Sequence, residues 1–332
     1  MFQRNRWSGA CRGLGGIESG DRARLRRSWC GDALGRCLDA FGSGDRYRVG
    51  HEGTEVLSSG GDHPIEVGPL RERLLGDGRL VEWEHHDTIG STNQRAATRG
   101  REGLAGPALF TAEHQSAGRG RQGRVWESPA HRNFYGSFML QPKVEQAHLA
   151  PITLVTALAV ADAITSAGFP DAAIKWPNDI LLGGRKVAGI LTELDTAANG
   201  EIFVVVGIGV NLNLQEGDFP PELRSKAGSL ASHGGHPVDR AAFVEALAQA
   251  FLDRVDRFEK LGFAALRPEY EKRHVLQGRE VRVDGGEGFE GRVLGVDDAG
   301  ALLLATAQGP RAIHAGEVSL SGAYDSLASE DS

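Results

Sequence analysis

Residues 113–126, Glu-His-Gln-Ser-Ala-Gly-Arg-Gly-Arg-Gln-Gly-Arg-Val-Trp, limit what this chain can become more than any other stretch. They follow a run, residues 108–112, that reads as a buried strand. Gly118, Gly120 and Gly123 alternate with Arg119, Arg121 and Arg124. Glycine permits backbone conformations and close approaches that a Cβ forbids. Arginine brings a permanently charged planar fork suited to carboxylate and phosphate. Such a loop can close over an anionic ligand and hold it by main-chain N–H groups and guanidinium together. Composition alone also fits a solvated basic loop or an RGG-like RNA-binding segment. A formal net charge of -7 argues against a general nucleic-acid binder.

A chain of 332 residues can bury a large core and form more than one domain. Its 40% hydrophobic and 24% charged residues are ordinary for a globular protein. Cys11, Cys30 and Cys37 all lie early; an odd count in no common zinc spacing argues against a disulfide framework. The most apolar segment, residues 149–164, contains Pro151, Thr153, Thr156 and Asp162 and is too short and interrupted to span a bilayer. No apolar leader is visible, so a cytoplasmic protein that avoids membranes is expected.

Residues 1–62 read differently from the rest. Through Arg48 there are ten arginines, five acids and no lysine, a net +5; with the whole chain at -7, the remainder carries -12. A helical pattern in Leu25, Trp29, Leu34, Leu38 and Phe41 is interrupted by Gly31 and Gly35. A disordered Gly/Arg-rich tail is expected over 1–62. From Pro64 the spacing predicts a short helix (69–75), a strand (80–86) and a helix to Thr98 capped by the hydroxyl of Ser91 or Thr92. A strand (133–140) and a long helix (149–167) with Leu154, Leu158, Ala161 and Ile164 on one face follow. Strands at 173–176, 186–193 and 201–211 precede a final long helix at 239–261. Beyond Leu276, short strands at 279–283, 290–296 and 301–306 alternate with the turns Asp284-Gly285-Gly286 and Asp298-Ala299-Gly300, the pattern of a small β-barrel. The expected domains are 63–272, 273–321 and a disordered tail at 322–332.

A second set of blocks gives the glycine loop a context. These are Lys175-Trp176-Pro177-Asn178-Asp179-Ile180-Leu181-Leu182, residues 184–193 (Gly-Arg-Lys-Val-Ala-Gly-Ile-Leu-Thr-Glu), Ser91-Thr92-Asn93, and residues 207–213 (Gly-Ile-Gly-Val-Asn-Leu-Asn). In order and spacing they closely resemble the biotin protein ligases, the biotin–[acetyl-CoA-carboxylase] ligases, across residues 80 to 320. The resemblance implies an α+β fold: a class II aminoacyl-tRNA-synthetase-like mixed sheet with helices, and a small C-terminal SH3-like β-barrel. It implies that ATP and biotin form biotinyl-5′-adenylate and that biotin then passes to a lysine of a biotin carboxyl carrier protein domain, with Mg²⁺ held mostly by phosphate oxygens.

Roles carry over residue by residue. The resemblance implies Lys186, Arg121 and Asp179 as catalytic, Asp179 serving the incoming carrier lysine. It implies Ser91, Thr92, Asn93, Gln115, Gly118, Arg119, Arg121, Lys186 and Gly189 for biotin. For ATP it implies Arg121, Arg124, Trp126, Asn178, Lys186 and Asn211. Trp126 matches an aromatic that packs near the adenine, although a lone tryptophan is as readily core; Trp176 is structural and lines the biotin-tail channel on the same reading, and Asp179 alone could cap a turn. His114 takes no role from it. Some family members also carry an N-terminal DNA-binding domain and act as repressors. Three packed helices cannot be placed in residues 1–62, so DNA binding is not expected. A lipoate-type ligase is the further alternative, disfavoured by the KWPND and GRGR blocks. Homodimerisation is left open.

Overall fold

The chain is described here as a computed structural model over residues 63–284 and 288–320. The tails expected at 1–62 and 322–332, the Leu25 to Phe41 pattern and most of the turn after Val283 lie outside the described residues.

Helix α1 (Val67–Leu75) buries Leu70 and Leu74. Strand β1 (Glu82–Ile89) leads through α2 (Thr92–Arg101) to β2 (Ala108–Gln115), whose first six residues are buried. Strand β3 (Phe134–Leu140) is buried at every position, as a strand covered on both faces must be. Helix α3 (Ile152–Ser166) buries eleven of its 15 residues. The single apolar face expected there understates it: this helix is sheathed nearly all round.

Strands β4 (Ala173–Lys175), β5 (Asp179–Leu182), β6 (Arg185–Thr196) and β7 (Ile202–Val210) follow. The main sheet runs β1-β2-β3-β7-β6-β5-β4. Its β1–β2 pair is parallel and its other pairs are antiparallel, so the sheet is mixed and the fold α+β. Helices α4 (Leu230–Gly234), α5 (Arg240–Leu261) and α6 (Arg267–Arg273) complete this part. Asp239 caps α5 by accepting from the Ala242 N–H, and Phe138 stacks on Phe251 with ring centroids 4.0 Å apart.

The remaining strands are β8 (Glu280–Asp284), β9 (Phe289–Val296), β10 (Leu302–Thr306), β11 (Gly309–Ile313) and β12 (Glu317–Leu320). They form a small antiparallel sheet in the order β11-β10-β9-β8-β12. It meets the main sheet where the Trp176 indole N–H donates to Gly300 O at 3.0 Å. Trp176 is buried, and this bond gives it a structural task. Nearby, Tyr270 and His274 are buried with ring centroids 5.3 Å apart, and neither the Tyr270 hydroxyl nor the His274 ring nitrogens has a hydrogen-bond partner. Burial pulls the His274 imidazole down to about 4.

Three details depart from the sequence reading. Ser91 occupies the N-cap position of α2 without a side-chain capping bond; Gln115 Oε1 instead accepts from Thr92 N at 2.9 Å and from Thr92 Oγ1 at 3.1 Å. Strand β5 lies in the gap left between the strands expected at 173–176 and 186–193, and α4, α6, β11 and β12 were not anticipated. The first strand starts later than expected, at Glu82.

Candidate functional site

Strand register brings three glycines to one face of the main sheet. Gly189 of β6 lies opposite Gly209 of β7, and Leu191 opposite Gly207. On the flanks, Asp179 of β5 lies opposite Gly189, and Ser137 of β3 opposite Gly207. Directly opposed residues in an antiparallel pair project to the same side. The sheet therefore carries a glycine floor with a carboxylate at one edge and a hydroxyl at the other.

The floor is bare because neighbouring groups need the room. A methyl on Gly209 would meet Trp126 Cε2 at 2.5 Å, and one on Gly189 would meet Trp126 Cζ3 at 3.0 Å. One on Gly207 would collide with the Asn93 amide. The Trp126 indole thus lies directly on Gly189 and Gly209.

The glycine loop folds back on itself. Gly120 N donates to Arg124 O at 2.7 Å and Trp126 N donates to Gly118 O at 3.0 Å. At its tip Gln122 and Gly123 take φ of 56° and 73°. The arginines then reach outward. Arg121 donates to Asn178 Oδ1 at 2.9 Å and to Gly316 O at 3.3 Å. Arg119 lies 3.3 Å from Glu193 Oε2, and Arg124 pairs with Glu317, whose carboxyl it holds below the usual range. Lys186 Nζ sits 2.7 Å from Asp179 Oδ1 and 5.6 Å from the Trp126 ring centroid. Three of the four cations are docked on a carboxylate, and Arg121 on neutral oxygens.

At the other edge a polar network closes the site. The Ser137 hydroxyl donates to Asn93 Oδ1 at 2.6 Å and lies 2.7 Å from Thr92 Oγ1. Asn93 Nδ2 donates to Glu193 Oε2 at 2.7 Å. Asn178 is built into the strands, donating to Ile190 O at 3.0 Å, and Asn211 donates to Gly228 O at 3.0 Å.

The structure therefore brings Thr92, Asn93, Gln115, Gly118, Trp126, Asn178, Asp179, Lys186 and Gly189, with Arg119 and Arg121, around the floor. Arg124 points to the small sheet, Ser91 is buried without a capping bond, and the Asn211 amide faces Gly228. Sequence reasoning missed Ser137, Glu193, Gly316 and Glu317. A small polar residue inside the apolar run Phe134–Leu140 was the signal for Ser137; the others act only through distant pairing.

Beneath the loop, Glu113 is fully buried on β2. It accepts from Ile65 N at 2.9 Å, pairs with Arg240, and lies 3.3 Å from His85 Nε2 and 3.2 Å from His131 Nδ1. Burial alone would raise this carboxyl, but the bonds from His85, Ile65 and Arg240 prevail and hold it at about 2.

Among the described residues no three His, Cys, Asp or Glu side chains gather as a metal cage, and no helix is long and apolar enough to cross a membrane.

Residues 87–213 match the model of the biotin/lipoate A/B protein ligase family, and residues 277–321 match the biotin protein ligase C-terminal domain. A biotin–[acetyl-CoA-carboxylase] ligase of Paracoccus denitrificans is 40% identical over 230 residues, 66% of this chain and 93% of the relative. The bifunctional ligase/repressor BirA of Bacillus subtilis is 35% identical over 237 residues, 71% of this chain and 73% of the relative. The structure of the Aquifex aeolicus biotin protein ligase in complex with biotin and ATP aligns with TM-score 0.62 at 28% identity, covering 74% of this chain and all of that one.

Proposed function

The chain belongs to the biotin protein ligase family, and from that membership we propose that it joins biotin to a carrier-protein lysine in two ATP-dependent steps, as a ligase without a repressor function. In the first step a biotin carboxylate oxygen attacks the α-phosphorus of ATP, and pyrophosphate leaves. In the second the carrier amine attacks the acyl carbon of the mixed anhydride; AMP leaves and the amine loses a proton.

The observation that carries this reading is the meeting of Lys186 and Arg121 with the Asn178-Asp179 turn beside a floor of glycines. Step one must bring two anions together, so its barrier falls when preorganised cations face the charge that develops. Lys186 and Arg121 fill that role. Each has a resident partner that an incoming oxygen can replace. When the ligand's oxygens take Lys186, Asp179 is released to accept the proton of the carrier amine. The glycine floor lets the Trp126 indole and the Asn93 amide lie close against the strands, while Thr92, Asn93, Gln115 and Ser137 offer hydrogen-bonding groups to a ureido ring. Arg124, Trp126, Asn178 and Asn211 are assigned to the nucleotide. Mg²⁺ is proposed to arrive with ATP, and no step is routed through it.

The carrier is proposed to be a biotin carboxyl carrier domain, and the setting the cytoplasm. The match of residues 277–321 to the biotin protein ligase C-terminal domain favours biotin over lipoate. The bifunctional relative keeps a second reading in view, in which residues 1–62 bind DNA. Their interrupted helical pattern supports the simpler one. The test is incubation with ATP, Mg²⁺, biotin and an apo biotin carboxyl carrier domain, read as a streptavidin-dependent gel shift. No shift with biotin, with modification of the carrier when lipoate replaces biotin, would overturn the proposal. Binding of 1–332, but not 63–332, to a specific DNA would establish the repressor.

A further inference from the structure

His114 stands directly before Gln115 at the end of β2, half-buried, and the proposed chemistry does not use it. Its Nδ1 lies 2.6 Å from the main-chain oxygen of Ser128, so the ring donates there. Ser128 is the foot of the glycine loop and is 5% exposed. Its hydroxyl donates to Trp126 O at 3.1 Å, and Gln115 Nε2 lies 3.5 Å from the same hydroxyl. The Trp126 N–H is tied to Gly118 O, so both sides of this tryptophan's backbone are held.

Just beyond Ser128 the chain is fixed separately, with Pro129 O accepting from the Tyr135 hydroxyl at 3.0 Å. On the far side the loop is fixed by Arg121 on Asn178 and Gly316 and by Arg124 on Glu317. The peptide between these anchors carries Trp126, and His114 is the side chain that grips its carbonyl at Ser128. Without that grip Ser128 is free to shift as a whole, which takes its Oγ off Trp126 O and lets the indole move along Gly189 and Gly209. The glycines would not resist, because they present no Cβ.

We propose that His114 is a positioning residue for the ligand site: by holding Ser128 it sets where the Trp126 indole stands over the glycine floor. It acts through Ser128 and Trp126 and touches no reacting atom. The role rests on the ligase reading above, in which Trp126 walls the bound nucleotide.

The experiment measures pyrophosphate release from biotin and ATP, and separately transfer from supplied biotinyl-adenylate to the apo carrier domain. His114→Leu keeps most of the side-chain volume but has no donor. It should raise KM for both biotin and ATP about tenfold, the order of one buried hydrogen bond, while transfer at saturating adenylate keeps its rate. Asparagine can place its Nδ2 where histidine has Nδ1, so His114→Asn should restore both KM values. Ser128→Ala, which removes the hydroxyl under Trp126, should raise the same KM values should the leucine variant not fold. Unchanged KM values in His114→Leu and Ser128→Ala would overturn the proposal. So would an asparagine variant as impaired as the leucine one, or a loss confined to kcat and thermal stability. Absence of pyrophosphate release by the wild-type chain would instead refute the ligase reading itself.

Discussion

At Lys186 charge can be separated from packing. Its side chain is about one-third exposed and bonded to Asp179, so Lys186→Met keeps most of the stem and removes only the ammonium. Loss of one preorganised cationic donor slows such reactions by roughly 10² to 10³-fold. Pyrophosphate release should fall by that order, while thermal stability changes little. Transfer from supplied adenylate should suffer less. Asp179→Asn should show the opposite bias, and equal losses in both half-reactions for both variants would refute the division of roles. A pH prediction concerns His274. Its imidazole is held near 4, whereas an unfolded histidine titrates near 6.5. The unfolded chain therefore binds the extra proton first, and acidification from pH 6.5 to 4 should cost on the order of 3 kcal/mol at this residue. The melting temperature of His274→Phe should fall less than wild type between pH 7 and 4.5; parallel curves would contradict this. These two residues differ in how readable they were. Lys186 was named by the family resemblance of its block together with the apolar run that follows it, whereas the isolation of His274 depends on how α6 packs, which no local pattern encodes. The capping of α2 shows the same boundary. A capping hydroxyl was expected from Ser91 or Thr92, but the acceptor is Gln115, made adjacent only because β1 and β2 pair in parallel.

Elements were legible where an apolar run was long. The strands at β2, β3 and β7 and the helices α3 and α5 stand near their expected positions. Short ones were not. Strand β5 has four residues inside a segment whose Pro177 and Asn178 signal a turn, and β11 carries Pro310, which demotes a strand when read locally. An edge strand tolerates that proline, and β11 is an edge strand. The glycine loop supplies the prediction at this scale. Its latch to the small sheet is an exposed ion pair, Arg124 with Glu317, of the kind worth at most about 1 kcal/mol. Glu317→Gln should therefore leave the melting temperature nearly unchanged while amide exchange over residues 116–126 quickens. Biotin with ATP should slow that exchange in both proteins. Equal exchange with and without the ligands would contradict a loop that closes on them.

For the molecule as a whole, a sharp boundary is expected ahead of α1. His63 O accepts from Arg240 and Ile65 N donates to Glu113, so three residues strap the buried ion pair beneath the site. Removing residues 1–62 should leave ligation and stability near those of the full chain. Removing residues 1–66 strips partners from buried charged groups and should cost about 1–3 kcal/mol, measured by urea unfolding. Equal stability of the two truncations would show that the strap does not matter. The contact of Arg121 and Arg124 with Gly316 and Glu317 reaches almost 200 residues along the chain, and it bears on how the protein is made. A ribosome completes the whole seven-stranded sheet, with its glycine floor and Lys186, before it adds these two residues, and domains fold in that order. A nascent chain at that stage holds the formed glycine floor beneath a loop tied to Asn178 and Glu193 but not yet to Gly316 and Glu317. Translation that stops short of Gly316 is expected to leave a protein able to fold its sheet but with a loop held at one end only, so among the described residues the last strand to emerge completes the fastening of a loop made almost 200 residues earlier.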